Sequence, residues 1–203
     1  MDSITQLVIG AAIVVALLLV VYLFVDVYIG KKKGTYCRKK VGKKCRAMAR
    51  RGGHIYMRDL TLPAEPRPAR IDHVMIGEFG MVLVNCLDYR GELYGTATDK
   101  NWFFYDKENR RKVIANQIAR MDQCLSAVRK VLAEQKVYNV NQIDTFVVFG
   151  NGVKLGVTRD NRSQHVIVRR KQIGKLLGKE KYLLAGKTDP EKTAAALEHC
   201  RVH

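Results

Sequence analysis

The stretch Arg70-Ile71-Asp72-His73-Val74-Met75-Ile76-Gly77-Glu78-Phe79-Gly80-Met81-Val82-Leu83-Val84-Asn85-Cys86-Leu87 decides the fold. Two apolar runs, Arg70 to Gly77 and Met81 to Leu87, read as strands, and Gly77 to Gly80 between them reads as a hairpin turn. Upstream, His54 to Leu62 alternates, and Pro63-Ala64-Glu65-Pro66-Arg67-Pro68 holds three of the four prolines and reads as a loop. Downstream, Glu92 to Thr98 and Trp102 to Asp106 read as short strands around Asp99-Lys100-Asn101. Ile114, Ile118, Met121, Leu125, Val128 and Leu132 then recur at intervals of 4, 3, 4, 3 and 4. This predicts an amphipathic helix of about seven turns, with Arg110, Arg111, Arg120, Arg129 and Lys130 on its other face. Thr145 to Phe149 is a short apolar run of the buried-strand type. Val153 to Thr158 and His165 to Arg169 are further strands, Gln172 to Leu177 starts a short helix, and Thr188-Asp189-Pro190-Glu191 reads as a helix N-terminus. The order predicts a mixed α/β domain.

The N-terminal end is different in kind. Ser3 to Val25 is 23 residues without a charge, mostly Val, Ile, Leu and Ala. As a helix it extends roughly 34 Å, enough for a hydrocarbon core of about 30 Å. A cleaved signal peptide is the competing reading, but Met1-Asp2-Ser3 has no basic residue and no small-residue cleavage site follows. The expectation is a transmembrane anchor at residues 1–30. Residues 31–51 hold eleven basic residues and no acid, including Lys31, Lys32, Lys33, Arg38, Lys39 and Lys40. This block marks a basic juxtamembrane segment and first helix, from about Tyr36 to Arg51. By the positive-inside rule it places residues 52–203 in the cytoplasm, with the N-terminus outside the plasma membrane. In that reducing compartment the five cysteines are expected as free thiols, and their spacing fits no zinc pattern.

The chain has 203 residues, 36 Lys+Arg and 19 Asp+Glu, for a formal charge of +17. Its 47% hydrophobic content excludes a disordered chain, and five cysteines are too few for a disulfide scaffold. Setting aside the eleven basic residues of the juxtamembrane run, together with Asp2 and Asp26, leaves +8 on residues 52–203. An anionic partner is therefore expected beyond the first basic block, which by itself suits anionic lipid headgroups.

Asp72-His73-Val74, then Gly80-Met81-Val82-Leu83-Val84-Asn85, then Gly91-Glu92-Leu93-Tyr94-Gly95 resembles the nuclease-related domain family, NERD. Trp102, Gln117 and Val147-Val148-Phe149 stand where that family has a Trp, a Gln near the start of a long helix and an apolar strand. The resemblance covers about residues 38–150. It implies a restriction-endonuclease-like mixed sheet flanked by helices, and a suspected nuclease role. Such a site pairs an Asp with a Glu on the next strand to hold Mg²⁺, and a Lys two residues further on the same face handles the attacking water. Here the Asp is Asp72, the Glu position holds Asn85, and the Lys position holds Leu87. The acidic residue of the first helix also looks replaced, by Lys43. Glu78, Asp88 and Arg120 are the candidates for a relocated site, although Asp88 has the wrong strand parity.

The resemblance and the departures together lead to a membrane-anchored NERD-like protein without an intact catalytic site. It is expected to act by binding nucleic acid or a protein partner, with Arg110, Arg111 and Arg120 as candidate contacts. The alternatives are a tethered Mg²⁺-dependent nuclease with relocated residues and a scaffold lying on anionic lipid. No cofactor motif is visible, and Mg²⁺ is called for only by the nuclease alternative, with Asp72 as the residual ligand.

Overall fold

The computed structural model describes residues 3–32, 34–140, 142–158 and 165–202. The chain divides into two compact units, Met1–Tyr36 and Cys37–His203. The first contains helix α1 (Ser3–Lys32). Its apolar window Val8–Val25 is solvent-exposed throughout, with Leu18 at 64% and Phe24 at 74%. A helix this long and this apolar is able to cross a membrane; a signal sequence near an N-terminus meets the same description.

The second unit begins inside α2 (Tyr36–Gly52), whose buried residues Cys37, Val41, Cys45 and Ala49 repeat every four positions. Strands β1 (Ile55–Leu62), β2 (Ala69–Gly77), β3 (Gly80–Leu87), β4 (Gly91–Thr96), β5 (Asn101–Asp106) and β6 (Arg111–Ala115) follow. Helix α3 (Gln117–Glu134), strands β7 (Ile143–Phe149), β8 (Val153–Thr158) and β9 (His165–Arg169), and helices α4 (Ile173–Leu177) and α5 (Pro190–His199) complete it. The strands make two mixed sheets, ordered β1-β2-β3-β7-β9 and β6-β5-β4-β8. The β1-β2-β3 meander is antiparallel, and β3-β7-β9 is parallel, with Asn85 opposite Val147. This is a mixed α/β architecture of the nuclease-like kind, with its strands split between two sheets.

The five-stranded sheet has a core on each face. On one, Val74, Ile76, Leu83, Val147 and Phe149 pack with Met121, Leu125 and Val128 of α3, Leu197 of α5, and Leu93 and Trp102 of the second sheet. On the other, Met75, Val82, Val84, Phe146 and Val148 pack with α2 and with Ile173 and Leu177 of α4. Helix α2 is therefore a wall of the folded unit, although its charge reads as a juxtamembrane segment.

The long helix is shorter than its apolar stripe predicts, and this moves two candidate residues. Ile114 falls in phase with the stripe but belongs to β6, where it stands opposite Trp102 and packs against the main core from the sheet. Asn116 enforces the break. Its side-chain Oδ1 accepts from the Ile118 and Ala119 N–H groups, while its Nδ2 donates to the carbonyls of Ala97 and Asp99. This caps α3 and ties it to the β4–β5 connection, satisfying the donors that a helix start leaves open. Arg110 and Arg111 are thus not on the helix. Arg110 pairs with Asp106 at 2.8 Å and Glu108 at 3.1 Å in the β5–β6 turn, and Arg111 stands on β6.

Candidate functional site

Strand alternation breaks where the family site would be built. On β2, Ala69 and Ile71 share the main core with Val74 and Ile76, which strict alternation would place on the opposite face. On β1, Ile55 and Met57 likewise share it with Leu60 and Leu62. The two strands switch faces together, at Asp72-His73 and Arg58-Asp59, and Asp59 takes the left-handed φ of 57° that absorbs the switch. Asp and Asn tolerate that conformation better than most residues.

The switch aims Asp72 into contacts that the protein itself supplies. Its Oδ1 lies 2.9 Å from Arg38 Nε, and its Oδ2 accepts from the Cys86 N–H at 2.7 Å. The same guanidinium is ion-paired with Asp59, so Arg38 sits between two carboxylates. With its side chain only 25% exposed, Arg38 is an internal cation and not the lipid-facing residue that the basic run suggests. Asn85 carries the reciprocal bond. Its Oδ1 accepts from the Asp72 N–H at 3.0 Å, and its Nδ2 points to Cys124 Sγ on α3. Regular pairing of β2 with β3 ends at His73–Val84, and these two side chains continue the strand contact one residue further.

Asn85 and Leu87 share the face covered by the main core, and Leu87 packs against that core. Asp72 is engaged by Arg38, which comes from the helix on the opposite face. The expectation that Asp72 and the two substituted positions converge on one metal site is therefore corrected: the face switch at Asp72 separates them. The donor set does not fit Mg²⁺. One carboxylate with both oxygens engaged, one neutral amide whose oxygen holds a backbone N–H, and a leucine are too few oxygen ligands. Among the described residues no group of three His, Cys, Asp or Glu side chains is placed to hold a metal ion.

The remaining candidates have local work. Gln117, the first residue of α3, is buried and donates from Nε2 to the Ala115 carbonyl at 2.7 Å. Asp88 accepts from the Cys37 N–H at 3.1 Å, near the start of α2. Glu78 lies in the hairpin turn, where its carbonyl accepts from the Thr188 N–H. Arg120 is exposed on α3. Lys43 is exposed on α2, while Lys33 lies outside the described residues. All five cysteines are free; burial pushes the Cys45 thiol up to about 12, and it also raises Cys124. His165, on β9, bridges Thr145 at 2.5 Å and Asp122 at 2.6 Å, joining β7 to α3; Thr145 is too deeply buried to meet a substrate.

A different surface draws together residues that the sequence kept apart. On the outer face of the second sheet, Lys154, Glu92, Tyr105 and Arg111 form one cross-strand row, and Gly156, Tyr94, Phe103 and Val113 form the next. Tyr94 leans over Gly156, where a Cβ would come within 2.8 Å of its ring. Tyr94 and Tyr105 meet edge to face at 6.0 Å, and the Arg111 guanidinium stacks 4.0 Å over Phe103. Tyr94 and Val113 are exposed, at 45% and 60%. A groove of about 400 Å³, lined by Glu92, Tyr105, Lys107, Asn109 and Lys154, runs beside this face.

A mixed α/β fold of the nuclease-like kind, with two mixed sheets flanked by helices, defines the class. The nuclease-related domain family, NERD, matches residues 33–150, more than half of the chain, and the protein belongs to that family. No curated protein and no solved structure matches it.

Proposed function

We propose that this is a membrane-anchored NERD protein that binds nucleic acid without cleaving it. The observation carrying the non-catalytic half is the Asp72 carboxylate, occupied by Arg38 and the Cys86 N–H, beside Asn85 and Leu87. The binding half is supported by the outer face of the second sheet. Rings for base stacking stand there beside Arg111 and Lys154, a combination that suits single strands, whose bases are open to stack. Arg111 thus keeps a binding role on a strand, Arg110 flanks it in the adjoining turn, and Arg120 lies apart on α3. A protein partner remains the alternative ligand, and no cofactor is required.

Binding to a single-stranded oligonucleotide by the full chain in neutral detergent is the test. Affinity is expected to fall steeply between about 50 and 200 mM salt, as counterion release demands, and Tyr94→Ala is expected to weaken it roughly ten-fold. Absence of binding at low salt would overturn the nucleic-acid reading in favour of a protein partner. The alternative of a Mg²⁺-dependent nuclease with relocated residues has Glu78, Asp88 and Arg120 as its candidates; the Asp88 carboxylate is engaged by the Cys37 N–H, and the Glu78 side chain is exposed in the hairpin turn.

The anchor reading places α1 across the plasma membrane with the second unit in the cytoplasm, supported by the one-sided basic block at residues 31–51. A reporter fused after residue 203 is expected to give a cytoplasmic signal in intact cells. A signal from outside, or a mature chain starting after residue 25, would refute it.

A further inference from the structure

Two basic segments distant in sequence lie in one layer of the fold. Residues 36–52 carry eight Lys and Arg, residues 165–179 carry five, and neither holds an acid. Helices α2 and α4 pack side by side on the same face of the five-stranded sheet, burying Val41, Cys45, Ile173 and Leu177 in one core. Lys44 reaches over Gly174, its Nζ 3.4 Å from where a Cβ would stand. Lys43, Lys44, Arg50, Arg51, Lys175 and Lys179 all face solvent. The layer continues into the turn at Glu180–Tyr182, where Tyr182 joins this core and its carbonyl bonds His54 Nε2 at 2.9 Å. Beyond that turn, Leu183 and Leu184 are 58% and 57% exposed. Of the acids nearby, Glu180 adjoins Lys179 in sequence, and Asp144 is taken up by Lys181 and Tyr182.

We infer that the α2–α4 layer is a docking surface for an anionic lipid bilayer, with Leu183 and Leu184 entering the interface between headgroups and acyl chains. The inference rests on the reading of α1 as a membrane anchor and extends the lipid contact from Lys39 and Lys40 to a wing formed by distant sequence. Three features select lipid. The cationic side chains match anionic headgroups. Two adjacent exposed leucines gain by entering an acyl boundary and have no counterpart on a phosphodiester backbone. Only residues 33–35 separate α1 from α2, so a bilayer holding α1 is always within reach.

The test uses the full chain in vesicles of zwitterionic lipid, with or without phosphatidylglycerol, carrying acyl-chain-brominated lipid as quencher. Leu184→Trp places an indole at the proposed contact. The native Trp102, wholly buried in the main core, is the internal reference. The introduced indole is expected to lose roughly half its emission in anionic vesicles and little in zwitterionic ones, because basic surfaces are drawn to anionic lipid. High salt, or Lys43→Glu with Lys44→Glu, Lys175→Glu and Lys179→Glu, is expected to abolish the difference. Equal quenching in both vesicles, or quenching insensitive to charge reversal, would overturn the inference. So would its relief by duplex DNA, which would assign the layer to nucleic acid. Alkaline extraction separates the two readings: a chain that washes off refutes the anchor, whereas one that stays without quenching refutes the docking surface alone.

Discussion

Asp72→Ala is expected to cost the folded unit about 3 kcal/mol and to remove no nuclease activity, because none is expected in the unsubstituted protein. The magnitude has two sources. Removing one partner of a buried ion pair costs roughly 3–5 kcal/mol, but Arg38 and Asp72 keep 25% and 15% exposure and Asp59 remains beside Arg38. That discounts the first loss to about 2 kcal/mol. The Cys86 N–H then lacks its acceptor, which adds about 1 kcal/mol. Asp72→Asn keeps an acceptor for that N–H and loses the charge, so an intermediate cost is expected. Unfolding is followed by fluorescence of Trp102, the sole tryptophan, which lies wholly within the folded unit. The nuclease alternative predicts the opposite pattern: clear Mg²⁺-dependent cleavage, abolished by Asp72→Ala with little change in stability. Asn85→Glu with Leu87→Lys is not expected to restore cleavage, since neither substitution displaces Arg38 from the Asp72 carboxylate.

Patterns of local period were legible in the sequence, and contacts between distant segments were not. The apolar span of α1, the β2–β3 hairpin, the proline loop and the Asp189-Pro190 helix start each follow from residues adjacent in the chain. The junction at Asn116 defeats a periodicity argument, because Ile114 lies four residues before Ile118 and satisfies the helical spacing by coincidence. The one available signal was Asn116 itself, a strong N-cap residue placed within the supposed helix. Division of the strands into two sheets depends on β3 pairing with β7 and β4 with β8, parallel contacts that no short-range pattern encodes. At the candidate site the two substitutions were readable, yet their relation to Asp72 was not. Strand parity holds only along unbroken strands, and no residue pattern marks the left-handed Asp59 that breaks it. Arg38 was hidden differently. Among eight basic residues in α2, nothing local distinguishes the one that turns inward to two aspartates.

The same turn of structure gives His73 a titration that can be followed. His73 is 2% exposed, bonded through Nδ1 to the Tyr56 hydroxyl at 2.9 Å and through Nε2 to the Arg38 carbonyl at 3.0 Å. Gly42 makes room for the ring, since a Cβ there would come 2.8 Å from His73 Cε1. Burial pushes the imidazole down to about 4; Asp72 and the bond to the Arg38 carbonyl oppose the shift, and the charges of Arg38 and Arg58 reinforce it. The unfolded chain, with an ordinary histidine near 6.5, therefore binds the proton more readily than the folded one. The stability that His73 contributes is complete above pH 6.5 and is lost as pH falls towards 4, by about 3 kcal/mol at about 1.4 kcal/mol per unit. Asp144 does not mimic this. Burial raises its carboxyl, but bonds from Lys181, Tyr182 and Gln142 outweigh that and hold it below the usual range, so its contribution fades only at lower pH. Denaturation followed through Trp102 is expected to show the decline from pH 6.5 to 4.5 in the unsubstituted protein and a flat profile in His73→Gln. A flat profile in both would mean that the histidine is protonated in the fold, and that the Tyr56–His73–Arg38 chain does not hold it neutral.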